Sequence, residues 1–200
     1  MEPAVPFVGL TGGMGAGKST ALAALERLGA AVLSSDAVVH DLYAEKRVRD
    51  AVVGRWGAAV APGGVVDRAA VAERAFAGAE DRAWLEGLLW PMVGARVASW
   101  LEQVRARTDP SVPRAAVVEV PLLFEAGLEQ IYDATIAVVS DEQVRRERAA
   151  ARGHVLADER AGRQLTQDEK ARRATFVVRN DRSEEDLERE LSAVLEKLER

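Results

Sequence analysis

The run Gly12-Gly13-Met14-Gly15-Ala16-Gly17-Lys18-Ser19 fits the pattern Gly-x-x-x-x-Gly-Lys-Ser/Thr at each fixed position. That spacing suits one task, wrapping backbone N–H groups closely around phosphate oxygens. Bulkier residues would block the approach or resist positive φ, and glycine does neither. Gly13, Met14, Gly15, Ala16, Gly17, Lys18, Ser19 and Thr20 are therefore the candidate nucleotide-binding residues. Lys18 has the reach for the β- and γ-phosphates, and the Ser19 hydroxyl is the candidate ligand of Mg²⁺. A helix starting at Ser19 would add the favourable field of its N-terminus. A glycine-rich turn with a chance lysine is the alternative, but the strand expected before the loop and the helix expected after it favour phosphate binding. GTPases, small-molecule kinases and many ATPases share the motif, so it leaves the acceptor open.

Transfer to a hydroxyl needs a carboxylate that orients the attacking group or takes its proton. The first acidic residue beyond the loop at a strand end is Asp36, after Val32-Leu33-Ser34-Ser35. The carboxyl ends of parallel strands line the ligand crevice of such sheets. Asp36 could instead cap the helix that follows, and the two roles are compatible. The transferring group also needs positive charge and exclusion of water. Arg145, Arg146, Arg148 and Arg152 are candidates, set against the ordinary reading of a charge run as a solvated helix face. Glu119, behind Val117-Val118, is a second and weaker metal candidate than Ser19. His40 and His154 stand alone, outside any metal-ligand spacing, and read as structural.

Positioning these groups requires strands alternating with helices. Val5 to Leu10, Ala30 to Leu33, Ala115 to Val120, Thr135 to Val139 and Phe176 to Val178 read as strands. Ser19 to Leu28, Ala37 to Trp56, Asp141 to Arg152 and Glu184 to Leu198 read as helices. Val38, Leu42, Val48 and Val52 share one face of the second. Two further helical stretches follow Asp67, with interruptions expected near Gly78 and Pro91. The alternation implies an α/β fold with a parallel sheet and right-handed crossovers. Little strand signal lies between about 37 and 107, which reads as a helical insert beside the sheet.

The 200 residues suffice for one domain with modest inserts, 48% of them hydrophobic and 30% charged. The net charge of −5 argues against a general nucleic-acid binder. There is no cysteine, which excludes a disulfide framework and a thiolate metal site. No apolar run approaches the roughly 20 residues that span a bilayer. Met1 to Pro6 lacks the basic and apolar regions of a signal peptide, so a cytoplasmic location with no membrane partner is expected.

The motifs together resemble the dephospho-coenzyme A kinase family over nearly the whole chain. Val8-Gly9-Leu10-Thr11-Gly12-Gly13 is more particular than a bare phosphate loop. Leu33-Ser34-Ser35-Asp36 looks like the family's Asp-Ala-Asp segment, with Asp36 at its catalytic base and Ser34 where the first Asp usually stands. Gly64-Val65-Val66-Asp67-Arg68 is similar to Gly-x-Leu-Asp-Arg in the acceptor-binding part. Val120-Pro121-Leu122-Leu123-Phe124-Glu125 is similar to Pro-Leu-Leu-Phe-Glu, a segment near bound coenzyme A. Arg160-Ala161-Gly162-Arg163-Gln164, Glu169-Lys170 and Val177-Val178-Arg179-Asn180 follow in the family's order. Trp90-Pro91 replaces the usual His-Pro, and Asn180-Asp181-Arg182 replaces Asn-x-Gly.

The resemblance implies a P-loop three-layer sandwich in a single kinase domain. Its core would cover about 1–36, 113–140 and 174–200, with a helical acceptor-binding insert at about 37–112 and a lid at about 141–173. It implies ATP and Mg²⁺, and dephospho-CoA as the small-molecule partner, phosphorylated at the ribose 3′-hydroxyl. Asp36, Lys18 and a lid arginine, Arg152, would be catalytic, with Arg146 or Arg148 able to serve instead. Arg68, Pro121, Leu122, Leu123 and Phe124 would hold the acceptor. Another small-molecule or nucleoside monophosphate kinase is the nearest alternative. A nucleotide switch is a more distant one, since Asn-Lys-x-Asp does not occur.

Overall fold

Phe7–Gly12 is buried along its whole length and forms β1, the central strand. Such runs are what a parallel sheet covered on both faces demands. The computed structural model describes residues 5–108, 112–145 and 164–199, and within these the chain divides into two compact units.

The first unit, Met1–Ser34 with Leu101–Arg200, contains the sheet. Its strands are β1, β2 (Ala31–Ser34), β3 (Ala116–Glu119), β4 (Ala134–Val139) and β5 (Phe176–Arg179). They lie in the order β2-β3-β1-β4-β5, and each neighbouring pair is parallel. Glu119 stands level with Leu10 on one side and Ser34 on the other, so the candidate carboxylate reaches the carboxyl edge beside the end of β1.

Helix α1 (Lys18–Arg27) and the last helix of the chain, Glu184–Leu198, close one layer of this unit. The last helix turns Leu187, Leu191, Val194 and Leu195 inward, where they meet Ala21, Ala24 and Leu25 of α1 and Val8, Leu10, Ile136 and Val138 of the sheet. The alanines let α1 come close. Ser183 caps the last helix by accepting from the Asp186 N–H, and three acidic residues fill its first turn. Leu191 is wholly enclosed in this layer. Leu191→Ala is expected to lower stability by about 2–5 kcal/mol through lost transfer energy and the cavity left behind. A fall in the urea midpoint with an unchanged slope would read it out.

The second unit, Ser35–Trp100, is helical. It holds α2 (Ser35–Ala44), α3 (Lys46–Trp56), α4 (Arg68–Phe76) and most of α5 (Ala79–Arg105). Val38, Leu42, Val48 and Val52 are all buried, as their spacing predicts. The helix expected from Ala37 to Trp56 is nonetheless two helices. Glu45 turns extended between them, at φ −71° and ψ 134°, and its carboxylate accepts from Arg96. No Gly or Pro marks that break. Pro91, by contrast, does not interrupt α5. The carbonyl that its ring would oppose belongs to Gly87, four residues back, where the absence of a side chain lets the backbone give. The expected break near Gly78 is present, between α4 and α5.

Val52, Val60 and Val71 form this unit's own small core, with Trp56 and Trp84 meeting edge to face at 5.1 Å against it. Arg55 lies over Trp84 and bonds Asp81, which holds the Asp81 carboxyl below its ordinary range.

Candidate functional site

The loop between β1 and α1 takes its shape from the sheet and from two side chains distant in sequence. A Cβ on Gly12 would stand 2.5 Å from the Val138 carbonyl oxygen, so β1 can pass β4 only with glycine there. Gly15 has φ +74°, and a Cβ on it would meet the Arg145 carbonyl at 2.5 Å. Asn180, buried at the end of β5, donates through Nδ2 to the Ala16 carbonyl at 2.9 Å. Arg145 donates through Nε to the Met14 carbonyl at 3.0 Å. Lys18 opens α1, and its Nζ donates to the carbonyls of Gly12 at 3.1 Å and Gly13 at 3.3 Å. The ammonium is thus folded over the loop at the N-terminal end of α1. Ser19 is exposed in the first turn of α1.

Of the charge-run arginines Arg145, Arg146, Arg148 and Arg152, Arg145 is the one described, and it bonds the phosphate loop. Arg146, Arg148, Arg152 and the Arg160 to Arg163 segment lie outside the described residues. His154 does too.

The turn after β3 begins at Pro121. Leu123 and Phe124 are buried, at 0% and 3% exposure, so these two candidates anchor the turn from beneath. Pro121 and Leu122 keep accessible surface. Helix α6 (Gln167–Arg173) packs beneath the same edge. Thr166 and Glu169 form a reciprocal cap at its start, and that bonding draws the Glu169 carboxyl below its usual range. Gln167 brackets Ser140 by accepting from its N–H at 2.9 Å and donating to its carbonyl at 2.8 Å. Lys170 is fully enclosed and donates to the Pro121 carbonyl at 2.6 Å.

In the second unit, Asp36 is exposed and is the second residue of α2, past the position of a cap. One turn on stands His40, whose Nδ1 lies 3.0 Å from Arg68 Nη1. A guanidinium only donates, so in this contact Nδ1 is the acceptor. Arg68 is the first residue of α4, held there by Asp67, whose carboxylate accepts from the N–H groups of Ala69 and Ala70. The Asp-Arg pair therefore does two things, one capping the helix and the other presenting a cation. Asp36, His40 and Arg68 share this unit, whereas the phosphate loop, Glu119 and the 121–125 turn belong to the sheet unit.

Sequence reasoning left three contacts unforeseen, those of Asn180, Lys170 and Arg145. Their order along the chain matches the resemblance, but which polar side chain turns inward is decided by the carbonyls waiting at the sheet edge.

Comparison with known proteins agrees with this geometry. The family model for dephospho-CoA kinase matches residues 6–186. A dephospho-CoA kinase of Deinococcus radiodurans is 38% identical over 96% of this chain and 92% of its own length. One from Rhizobium meliloti is 36% identical over 96% and 97%. Among solved structures, a Thermus thermophilus protein superposes with a TM-score of 0.79 at 32% identity, covering 98% of this chain and 99% of its own. The dephospho-CoA kinase of Campylobacter jejuni superposes with a TM-score of 0.67 at 22% identity over 96% of both chains, a likeness of fold.

Proposed function

The chain belongs to the dephospho-CoA kinase family, and from that premise we propose how its residues divide the transfer of the ATP γ-phosphoryl group to the ribose 3′-hydroxyl of dephospho-CoA. Residues Gly13 to Thr20 cradle the phosphates with backbone N–H groups. Lys18 neutralises charge that builds on the β- and γ-oxygens as the bond to the leaving ADP breaks. Asp36 orients the 3′-hydroxyl and takes its proton. Arg152, or Arg146 or Arg148 in its place, is the guanidinium that the resemblance brings to the transferring group, and the bond of Arg145 to Met14 supports Arg145 as a further candidate. Arg68, Pro121 and Leu122 contact the acceptor, while Leu123 and Phe124 hold the turn from below.

The donors present fit Mg²⁺. Ser19 offers a hydroxyl and Glu119 a carboxylate, 7% exposed, both hard oxygen ligands of the kind this ion takes alongside nucleotide phosphates and water. Held by these residues, the ion would supply positive charge that screens the phosphates.

One observation carries the reading: the lysine of an intact phosphate loop lies folded on that loop, in a chain that a dephospho-CoA kinase model matches from residue 6 to 186. Among the described residues no helix is long and apolar enough to cross a membrane. The test is ADP release from Mg-ATP with dephospho-CoA, AMP, adenosine or a sugar panel as acceptor. Turnover is expected with dephospho-CoA alone, and the product is CoA. Turnover on another acceptor with none on dephospho-CoA would overturn the assignment of substrate.

A further inference from the structure

Lys170 is a charged side chain with no exposed surface, and the chemistry described above does not use it. Ammonium groups are seldom enclosed, because burial strips their hydration, and they persist only where partners replace the water. Desolvation indeed pushes the Lys170 amine below its ordinary pKa, and the Glu125 carboxylate opposes that shift.

The partners matter more than the burial. Nζ donates to the Pro121 carbonyl at 2.6 Å and to Thr11 Oγ1 at 3.4 Å, and pairs with Glu125 Oε1 at 3.0 Å. The Thr11 hydroxyl also donates to the Pro121 carbonyl, at 3.4 Å. Glu125 Oε1 accepts in addition from the Leu165 N–H at 2.8 Å. From the fourth residue of α6, this ammonium joins the last residues of β1 before the phosphate loop to both ends of the 121–125 turn. The turn's own backbone bonds, such as Ala126 N–H to the Leu122 carbonyl, close it internally but do not tie it to β1. Beyond Val120, whose N–H still bonds the Leu10 carbonyl, Leu123 packs against Gly9 of β1, and the polar tie to β1 runs through Pro121, Thr11 and Lys170.

We propose that Lys170 is a positioning residue for the acceptor: it fixes the course of the Pro121 to Glu125 turn against the end of β1, and the acceptor is held in register with the phosphate loop only while that tie is made. The inference rests on reading this turn as an acceptor contact. It makes no demand on proton transfer by Lys170, and no bond to substrate.

The experiment compares wild type with Lys170→Met and with Lys170→Met/Glu125→Gln. The single variant leaves a carboxylate buried against an alkyl chain and is expected to lose stability. The double variant removes both charges yet keeps an oxygen for the Leu165 N–H, and is expected to recover the thermal midpoint. Both should show KM for dephospho-CoA raised about 10- to 100-fold with KM for ATP nearly unchanged, as misplacement of a substrate contact does. A double variant that regains wild-type KM for dephospho-CoA along with stability would reduce the pair to a structural role and overturn the proposal. Should neither variant fold, Lys170→Arg keeps the charge but alters its reach. The same rise in KM for dephospho-CoA is then expected, and its absence overturns the proposal. Wild-type turnover on dephospho-CoA in the same series separates a failure of this inference from a failure of the substrate reading.

Discussion

Asp36→Asn lowers kcat by about 10²- to 10⁴-fold, the range that a positioned general base supplies, and leaves KM for ATP and for dephospho-CoA close to wild type. The substitution is chosen to isolate one property. Asparagine has the size of aspartate and still offers an oxygen to the 3′-hydroxyl, but it cannot take the proton. Asp36 is exposed in the first turn of α2, on the side away from the buried Val38 and Leu42, so the exchange disturbs no packing. A carboxylate in a first helical turn also interacts favourably with the helix dipole, by about 0.3–1 kcal/mol. A purely structural Asp36 would therefore show a small loss of stability and ordinary turnover. Near-normal kcat with unchanged KM for both substrates would sink the base assignment. Asp36→Ala is less informative, because it removes the acceptor oxygen together with the charge. In a loose phosphoryl-transfer transition state little deprotonation is needed early, so a loss near the lower end of that range is expected where the retained oxygen still orients the hydroxyl.

What the sequence made legible was mostly local. The phosphate loop is eight consecutive residues, and its glycines follow from backbone geometry alone. The apolar runs of β1, β3 and β4 announce strands covered on both faces, and Leu187, Leu191, Val194 and Leu195 announce the last helix. Illegible features depend on what a residue meets far along the chain. Lys170 lies in Gln-Asp-Glu-Lys-Ala-Arg-Arg, where six of seven residues are polar and no periodicity singles it out. It is buried because Pro121, Thr11 and Glu125 supply its partners, 49, 159 and 45 positions away. Arg145 belongs to a charge run that reads equally well as a solvated face, until its bond to Met14 draws it onto the loop. Leu123 and Phe124 look like ligand contacts in a motif, yet their apolar bulk fits the core, and burial leaves Pro121 and Leu122 to the surface. The division of Ala37–Trp56 at Glu45 has no breaker in it and is stabilised by an arginine 51 residues on. Proline at 91 is the reverse case, a breaker offset by the glycine one turn before it.

Lys18→Met is expected to lower kcat by about 10²- to 10³-fold, the loss typical of removing one preorganised donor from developing transition-state charge. The loop itself should survive. Its shape is held from outside by Asn180 on Ala16 and Arg145 on Met14, and its helix continues from Ala21 into a packed core. Lys18 contributes bonds to the carbonyls of Gly12 and Gly13, both buried residues, but the ties from Asn180 and Arg145 keep the loop's course when the ammonium leaves. The thermal midpoint should therefore move little, while ATP binding weakens. These readouts divide the possible roles. A lysine that served the ground state alone would raise KM for ATP and spare kcat, because binding given up equally in ground and transition states does not slow the chemical step. A lysine that served only the loop's fold would lower stability in proportion to activity. Loss of kcat at saturating ATP with the fold retained assigns Lys18 to the γ-phosphoryl group as it transfers. Wild-type kcat in the folded variant would remove it from the mechanism and leave the backbone cradle as the loop's whole contribution.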